Sequence, residues 1–268
     1  MPSALDGKVA IVTGAGRGLG RAIALGLARA GAQVIATAAR EKAELEEVAR
    51  EGAGAVAPLL ADVTDEADCA AAVDKALRRF GRLDILVNNA GRGMKYVSTA
   101  FPTDPIRFWE TDPAAWRQVI DTNVNGPFLM ARAAAPHMMR AGWGRIINMS
   151  TSYNTMRRET YTPYGPSKAA LESETQIWAQ DLCGTGVTVN AILPGGVALT
   201  GFIPEAFPEA EKQRLLDPAI IVPPVLFLAS ASADGVTGKR FDAKQWRTDL
   251  EPNEAAALCA RDAGAFER

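Results

Sequence analysis

Tyr164 and Lys168 are four residues apart in a segment that predicts a helix, so their side chains share one helix face. A phenol can exchange a proton with a substrate when its pKa, ordinarily about 10, is lowered, and a nearby cation lowers it. Pro166 is tolerated only in the first turn of a helix, so the pair belongs at a helix start. In isolation the same spacing also occurs as a surface contact, and a chemical role therefore depends on the rest of the sequence.

A glycine-rich segment, TGAGRGLG at residues 13–20, follows the first apolar run and opens into a predicted helix. Glycines let the backbone turn tightly and approach a diphosphate, and the free N–H groups and dipole of a helix start favour an anion. The generic spacing GxGxxG does not fit, because Leu19 or Arg21 falls where a third glycine is required, whereas TGxxxGxG does fit. Alone, such a turn could be only a tight strand–helix connection.

Short apolar runs alternate with longer helical patterns, which predicts βαβ units. The runs are too continuous for strands with one wet face, so they indicate a buried parallel sheet with helices on both faces. The predicted strands are 9–12, 33–37, 55–59, 83–87, 145–149 and 187–192, and the predicted helices are 19–30, 42–51, 65–80, 113–141 and 164–183. We therefore expect one doubly wound α/β domain with its ligand beyond the carboxyl ends of the strands.

Composition excludes several other classes of protein. The 268 residues include 29 Lys+Arg and 31 Asp+Glu, a net charge of −2, which gives no electrostatic basis for binding nucleic acid or an anionic membrane. The single His137 argues against a metal centre or a Ser-His-Asp triad. Cys69, Cys183 and Cys259 are widely spaced, as expected of reduced thiols. Without a secretory signal pattern or a long apolar stretch, a cytoplasmic protein is expected.

Further motifs stand in order on the predicted elements. NNAG at 88–91 follows the fourth strand, NVNG at 123–126 lies in a helix, YGPSK at 164–168 opens the next helix, and PG at 194–195 follows the sixth strand. With the glycine segment, these motifs resemble the classical short-chain dehydrogenase/reductase family over residues 8–241. The resemblance implies a single Rossmann-type domain, a nicotinamide dinucleotide, and hydride transfer between that cofactor and a small ketone or secondary alcohol.

The resemblance also assigns roles within the motifs. It makes Tyr164 the catalytic acid/base, and Lys168 the residue that lowers the pKa of Tyr164 and hydrogen-bonds the nicotinamide ribose. Asn123 matches an asparagine that holds a water linking the lysine to solvent. The alternative for Asn123 is a helix-interior side chain bonded to backbone.

A hydroxyl that polarises the substrate carbonyl is expected just after the fifth strand, because a fixed donor stabilises charge developing on oxygen. The family's usual Ser-Ser pair falls on Ser150 and Thr151, with the catalytic position second. The usual spacing of about 13 residues before the tyrosine also selects Thr151. Ser152 or Ser150 remains an alternative if the loop is rearranged.

The resemblance implies a cofactor groove formed by four parts of the chain: the glycine segment, the pair Asp62 and Val63 that touches the adenine ring, the end of the fourth strand, and the turn after the sixth strand. Asn88 supports that fourth strand, and Thr200 lies one residue later than the usual pattern. The groove residues are Gly14, Gly16, Arg17, Gly18, Leu19, Gly20, Asp62, Val63, Asn89, Ala90, Gly91, Pro194, Gly195, Val197 and Thr200, with Tyr164 and Lys168.

The end of the second strand predicts the cofactor. A carboxylate there would bond the ribose hydroxyls of NAD, whereas a 2′-phosphate needs a cation and no carboxylate. The sequence has Ala38 at the acidic position, and Arg17 and Arg40 are both placed to contact a phosphate, although either can be a solvated surface charge. NADP is favoured, and NAD remains the alternative.

Two segments interrupt the regular alternation of predicted strands and helices, and we expect both to bind substrate: residues 92–110 and 194–224. The first brings Met94, Tyr96, Phe101, Phe108 and Trp109 near the expected pocket mouth, which suits a ketone with a hydrophobic body. Basic residues also lie on these and neighbouring loops, so a carboxylated or acyl-thioester substrate, such as that of a 3-oxoacyl-thioester reductase, remains an alternative. These basic residues are Arg92, Lys95, Arg107, Arg157 and Arg158. The charged tail at 242–268 is expected to cap a neighbouring subunit or to be disordered.

The predicted helices at 113–141 and 164–183 carry more apolar surface than one sheet face should need, and the resemblance implies that they pair across a two-fold axis into a homotetramer. Wide, core-facing helices are the alternative. Other functions stay open: an NAD-dependent alcohol, polyol or steroid dehydrogenase, a catalytically idle dinucleotide-binding regulator, and a related lyase or epimerase. An idle regulator would lose the Tyr-Lys pair, and a lyase or epimerase would carry a different glycine pattern.

Overall fold

The computed structural model describes residues 4–200, 212–213 and 215–264. Its described strands form one eight-stranded sheet in the order β3-β2-β1-β4-β5-β6-β7-β8. The first seven strands are parallel, and β8 pairs with β7 in the antiparallel direction. The strands are β1 Val9–Val12, β2 Gln33–Ala38, β3 Val56–Leu60, β4 Ile85–Asn88, β5 Gly144–Met149, β6 Val187–Leu193, β7 Lys239–Asp242 and β8 Ala260–Asp262.

Helices cover both faces of the sheet, which confirms the doubly wound fold. In β1, Ala10 and Val12 join one apolar cluster with α1 and α8, while Val9 and Ile11 join a second cluster with α3 and α5. The helices are α1 Gly18–Arg29, α2 Lys42–Glu51, α3 Glu66–Phe80, α4 Pro113–Ile120, α5 Gly126–Ala141, α6 Tyr153–Met156, α7 Tyr164–Asp181, α8 Val222–Ala229 and α9 Pro252–Cys259.

Local sequence signals explain several boundaries. The Asp65 side chain accepts hydrogen bonds from the N–H groups of Ala67 and Asp68 and so caps α3, and Gly81 ends that helix with a φ of 79°. Because α7 begins at Tyr164, Pro166 lies in its first turn, as predicted. The six predicted strands are all present, with ends that differ by at most two residues.

The predicted helix 113–141 is interrupted. A π-helical turn at Asp121–Asn125 separates α4 from α5. Pro127 follows this turn and has no N–H, so it cannot donate the usual helical hydrogen bond to the carbonyl of Asn123. Irregular turns of this kind leave backbone groups available for other partners.

The prediction of a disordered tail is wrong through Gly264. α9 and β8 fold back onto the sheet, with Ala256 and Cys259 buried in the same cluster as Phe241 of β7. Burying these apolar residues stabilises the segment despite its charged sequence. Residues 265–268, together with residues 201–211 and 214 of the predicted substrate-binding segment 194–224, lie outside the described residues. Among the helices that are described, none is long and apolar enough to cross a membrane.

Candidate active site

A cleft of about 410 Å³ lies beyond the carboxyl ends of β1, β2, β4, β5 and β6. Every predicted cofactor-groove residue lines it except Gly18, and Ala38 and Arg40 line it as well. Gly18 lies next to Thr200, which does line the cleft. A Cβ added at Gly18 would lie 2.9 Å from the Thr200 side chain. Of the four predicted catalytic residues, Thr151, Tyr164 and Lys168 line the cleft and Asn123 lies behind it.

The glycine segment forms a cradle that side chains would fill. A Cβ on Gly20 would lie 2.1 Å from the carbonyl oxygen of Gly14, and a Cβ on Gly14 would lie 2.9 Å from Cα of Ala90. α1 begins directly after this turn, and the side chain of its first flanking residue, Arg17, makes no capping hydrogen bond. The N–H groups of the first turn of α1 therefore face the cleft as an anion site, which fits the diphosphate of a dinucleotide.

The cradle is fixed to the end of β4. The Asn89 amide nitrogen Nδ2 donates to the carbonyl oxygens of Thr13 (2.8 Å) and Gly14 (3.0 Å). In return, the Thr13 hydroxyl accepts from the backbone N–H groups of Asn89 and Ala90, both at 3.0 Å. Thr13 was missing from the predicted site residues, although it begins the glycine motif.

Three neighbouring hydroxyls follow β5, and the structure gives each a different partner. The Thr151 hydroxyl is hydrogen-bonded to the Tyr164 hydroxyl. Ser150 is buried and donates to Glu172 Oε1 at 2.6 Å. The Ser152 hydroxyl is 2.9 Å from the Thr155 hydroxyl and also caps α6. Thr151 is thus the hydroxyl beside the phenol, as its spacing predicts.

The pKa of Tyr164 differs from the sequence expectation. Burial raises it to about 12, and the hydrogen bond from Thr151 acts in the opposite direction. Lys168 is not among the groups that shift the pKa of Tyr164 in this structure. A phenol with this pKa is protonated at neutral pH, so Tyr164 holds a proton that it can donate.

Lys168 is buried on the same face of α7. Its ammonium nitrogen Nζ donates to the carbonyl oxygen of Met149 at 2.6 Å, which fixes it beneath the end of β5. Burial lowers the pKa of Lys168 to about 8, while the negative charge of Glu172 opposes that shift. The ammonium is therefore mostly charged at neutral pH.

Asn123 connects the π-helical turn to two other elements. Its Oδ1 accepts from the backbone N–H of Arg92 (2.7 Å), and its Nδ2 donates to the Arg92 carbonyl (2.9 Å) and to the Ser167 hydroxyl (3.0 Å). The side chain is thus fully engaged with protein, as the alternative interpretation expected. Its backbone carbonyl cannot accept a hydrogen bond from residue 127, because Pro127 has no N–H.

A buried ion pair supports the end of β5. Arg240 Nε of β7 donates to Glu172 Oε1 of α7 at 3.0 Å, and Arg240 Nη2 donates to the Thr151 carbonyl at 2.9 Å. Glu172 Oε2 accepts from the backbone N–H of Gly264 at 2.9 Å. The sequence analysis missed both residues. The available signal was a charge beside buried positions: Glu172 lies one helical turn after Lys168, and Arg240 directly precedes the buried Phe241.

Charge is mixed at the cleft end nearest β2. Arg17 lies 3.4 Å from Glu44 and 3.6 Å from Glu41, so its guanidinium is shared between two carboxylates. Arg40 is exposed, and among the described residues no carboxylate lies within ion-pair distance of it. Ala38 leaves this end without a carboxylate at the position expected to bond a ribose. At the adenine position, Asp62 Oδ1 accepts from the N–H and hydroxyl of Thr64.

The predicted aromatic mouth is only partly correct. Met94, Tyr96 and Phe101 line the cleft, but Phe108 and Trp109 are each 69% exposed and stack edge to face away from it. A short 3-10 turn, Phe108–Glu110, turns this pair outward. Of the basic residues left open as substrate contacts, Arg92 and Arg158 line the cleft, and Arg107 instead pairs with Glu159 at 3.0 Å. Lys95 and Arg157 do not line it.

Comparison with known proteins agrees with this architecture. A model of the short chain dehydrogenase family matches residues 8–210. A short-chain type dehydrogenase/reductase of Picea abies is 38% identical over 252 residues, covering 88% of this chain and 90% of the relative. A 3-oxoacyl-[acyl-carrier-protein] reductase FabG of Pseudomonas aeruginosa is 37% identical over 247 residues, covering 87% and 94%.

A solved structure is similar over nearly the same length. The 3-ketoacyl-(acyl-carrier-protein) reductase of Brucella melitensis complexed with NADH has a TM-score of 0.78 and 34% identity, covering 89% of this chain and 97% of that one. The chain therefore belongs to the short-chain dehydrogenase/reductase family. It is an oxidoreductase that acts on CH–OH or keto groups with a nicotinamide dinucleotide.

Proposed function

We propose that the protein interconverts a ketone and a secondary alcohol by NADP(H)-dependent hydride transfer, with Tyr164 as the proton donor and acceptor. The observation that carries the proposal is the hydrogen bond between the Thr151 and Tyr164 hydroxyls in the wall of the dinucleotide-sized cleft. Two adjacent hydroxyls can contact one carbonyl oxygen together, one as a fixed donor and the other as the acid.

When bound, the nicotinamide dinucleotide supplies the hydride to the carbonyl carbon or accepts it from the alcohol carbon. In the reductive direction the Tyr164 proton passes to the oxygen as the C=O bond becomes C–OH, and Thr151 stabilises the negative charge that develops there. The buried Lys168 ammonium lies one helical turn away on the same face of α7 and lines the cleft, where it can contact the ribose of the bound dinucleotide. In the oxidative direction Tyr164 must first lose its proton, so the deprotonated phenol is the form that accepts the proton of the alcohol.

A route for replacing the Tyr164 proton follows from the π-helical turn. We propose that the carbonyl of Asn123 holds a water that passes protons to Lys168 from solvent. The absence of an N–H at Pro127 supports this role, because no helical hydrogen bond from that position competes for the carbonyl. The Asn123 side chain then acts by holding the turn against Arg92 and Ser167.

NADP is the proposed cofactor because Ala38 leaves space and no carboxylate for a 2′-phosphate, and because Arg40 is a guanidinium available to bind one. The pairing of Arg17 with Glu41 and Glu44 makes Arg40 the stronger candidate of the two arginines. Cys69, Cys183 and Cys259 are free thiols, which fits the reducing cytoplasm. A 3-oxoacyl thioester is the first substrate class to assay, because reductases of that name are 37% and 34% identical to this chain.

The test is Tyr164→Phe, which removes the hydroxyl and keeps the ring. We expect turnover, followed by NADPH absorbance, to fall by roughly 10²-fold to 10⁴-fold, while NADPH still binds in a fluorescence titration. Tyr153→Phe is the matched control, because Tyr153 does not line the cleft. Turnover of Tyr164→Phe close to that of the control would exclude Tyr164 as the acid. A wild-type protein that binds NADPH but reduces no ketone or thioester would support the idle regulator instead.

A further inference from the structure

The charged residues that line the cleft are divided by sign. Its described carboxylates, Glu41, Glu44 and Asp62, all lie where the dinucleotide is expected. Beyond Thr151 and Tyr164, the described charged residues of the wall are Arg92 and Arg158. The substrate end of the cleft is thus positive over its described surface.

Arg92 is held in place at one side of that end. Its Nε donates to the Thr122 hydroxyl at 3.0 Å, and the centre of its guanidinium lies 4.7 Å from the Tyr96 ring. Thr122 and Tyr96 also line the cleft, so the guanidinium lies along the wall between them. The backbone of Arg92 is fixed by Asn123, which orients the side chain relative to the proposed catalytic residues.

Arg158 has a similar arrangement on the loop before α7. Its guanidinium lies 4.7 Å from the Tyr161 ring, and the Tyr161 ring packs edge to face against Phe101 at 6.2 Å. Tyr161 is close enough to Tyr164 to influence its pKa, so this aromatic group borders the reacting hydroxyls. The two loops are joined by the ion pair between Arg107 and Glu159.

Neither Arg92 nor Arg158 has a carboxylate within ion-pair distance in the part of the chain that the structure describes. Arg107, Arg145 and Arg240 each have one. A guanidinium offers five N–H donors, of which Arg92 gives one to the Thr122 hydroxyl and Arg158 gives one, from Nη1, to the Tyr161 hydroxyl at 3.3 Å. Both arginines therefore retain donors for an anion that enters the cleft.

We propose that Arg92 and Arg158 form a subsite for an anionic group of the substrate, and that Tyr96, Phe101 and Tyr161 contact its apolar body. This inference rests on the proposed function and specifies its substrate class: a carbonyl compound with an apolar body and an anion beyond it. That anion is either the carboxylate of an oxo acid or a phosphate of a carrier arm in an oxoacyl thioester, since both accept charge-assisted hydrogen bonds from arginine.

Two matched substrate pairs separate these sources. The first is β-benzoylpropionate and its uncharged methyl ester, and the second is acetoacetyl-coenzyme A and the phosphate-free acetoacetyl thioester of N-acetylcysteamine. For the substrate pair whose anion is the one that the subsite binds, we expect the anionic member to have the lower KM. Arg92→Met or Arg158→Met should raise that KM by roughly tenfold to one hundredfold, well above any change in the KM of the neutral member. Arg157→Met is the control, because Arg157 is an exposed neighbour outside the wall.

Binding provides a readout that does not need turnover. Calorimetric titration of the NADP-loaded protein with β-benzoylpropionate or coenzyme A should show weaker binding in Arg92→Met and Arg158→Met than in Arg157→Met. Equal KM values within both pairs, or equal binding of both anions by all three variants, would overturn the subsite. Failure to reduce any carbonyl, with arginine-dependent anion binding intact, would instead reject the proposed function and retain the subsite.

Discussion

The guanidinium of Arg240 joins two groups that are far apart in sequence: the carboxylate of Glu172 at 3.0 Å and the backbone carbonyl of Thr151 at 2.9 Å. Glu172 is completely buried and also accepts from the Ser150 hydroxyl and the Gly264 N–H. The backbone on both sides of the Ser150–Thr151 peptide is thereby fixed. Thr151 can act as a directed donor only if this backbone keeps its position.

Arg240→Met should therefore lower both stability and turnover. Removing one member of a buried ion pair leaves Glu172 unpaired, which costs about 3–5 kcal/mol in comparable cases. Urea unfolding measures that loss, and a positioning role predicts that kcat falls more than KM rises. The double variant Glu172→Gln/Arg240→Met separates the two effects, because it removes both members of the buried pair together. If this double variant regains stability and also full turnover, the pair does not position Thr151.

The three hydroxyls after β5 should differ in their importance for catalysis. Thr151→Val removes the donor at nearly constant shape and should lower kcat by roughly 10²-fold to 10³-fold, whereas Thr151→Ser keeps the donor and should stay active. Ser152→Ala should retain turnover, because its hydroxyl bonds to Thr155 instead of Tyr164. Steady-state kinetics with one ketone decides this, and a larger loss in Ser152→Ala than in Thr151→Val would place the donor one residue later.

Cofactor preference should depend on Ala38 and Arg40. Ala38→Asp places a carboxylate against a 2′-phosphate, and Arg40→Ala removes the guanidinium, so the double variant should bind NADPH at least tenfold more weakly and prefer NADH. Fluorescence titration with both cofactors measures the ratio, and Arg50→Ala, on the exposed surface of α2, is the control. Tighter binding of NADH than NADPH by the unmodified protein would contradict the choice of NADP.

Glu174 should make stability depend on pH. Burial raises its pKa from 4.5 to about 7, and its Oε2 is buried without a hydrogen-bond partner among the described residues. Between these values the unfolded chain has already released the proton that the folded chain keeps, so stability falls as pH rises from about 4.5 to about 7. Glu174→Gln should flatten this slope and stabilise the protein by about 1 kcal/mol near pH 8.

Urea unfolding at about pH 5 and about pH 8 tests the Glu174 prediction. Glu47→Gln, on the exposed face of α2, provides the matched loss of one carboxylate. The same pH dependence in Glu174→Gln and wild type would show that other groups cause the slope.

Self-association should cover the apolar residues that α4, α5 and α7 leave exposed. Of the apolar residues expected to form this surface, Val119, Met130 and Leu171 are buried within the subunit, while Trp116, Phe128, Met139 and Ile177 are 39–52% exposed. We expect light scattering to give four times the mass of one chain, and Phe128→Asp or Ile177→Arg to reduce it. A wild-type mass equal to that of one chain would mean that these residues simply face solvent.

Sequence patterns predicted the structure correctly where local signals and burial agree. The six buried strands and the cap at Asp65 follow from apolar runs and side-chain chemistry, and the spacing from Tyr164 singled out the hydroxyl that lies beside the phenol, Thr151. β7 and β8 were missed because Lys239, Arg240, Arg261 and Asp262 give these short strands a polar sequence. Their pairing is decided by tertiary contacts, which strand propensity does not contain.

The direction in which a loop side chain faces was harder to predict than which residue types the loop contains. The loop at 92–110 has the aromatic residues of a pocket wall, but only the structure shows that Phe101 faces the cleft and Trp109 faces solvent. The π-helical turn spans only five residues, Asp121–Asn125, which is too short for hydrophobic periodicity to distinguish it from an α-helix. The buried pair of Glu172 and Arg240 joins residues 68 positions apart, a distance over which a single sequence gives no pairing signal.

The hydrogen bond from the Gly264 N–H to Glu172 also has a consequence for the order of synthesis. The residues proposed for proton transfer, Thr151, Tyr164 and Lys168, are all made well before β7 and Gly264 leave the ribosome. Until then Glu172 has neither Arg240 nor the Gly264 amide, and its carboxylate would stay solvated instead of entering the core. A nascent chain can therefore pair β1 to β6 early, but its catalytic strand is completed only by residues that follow Glu172 by 68 and 92 positions.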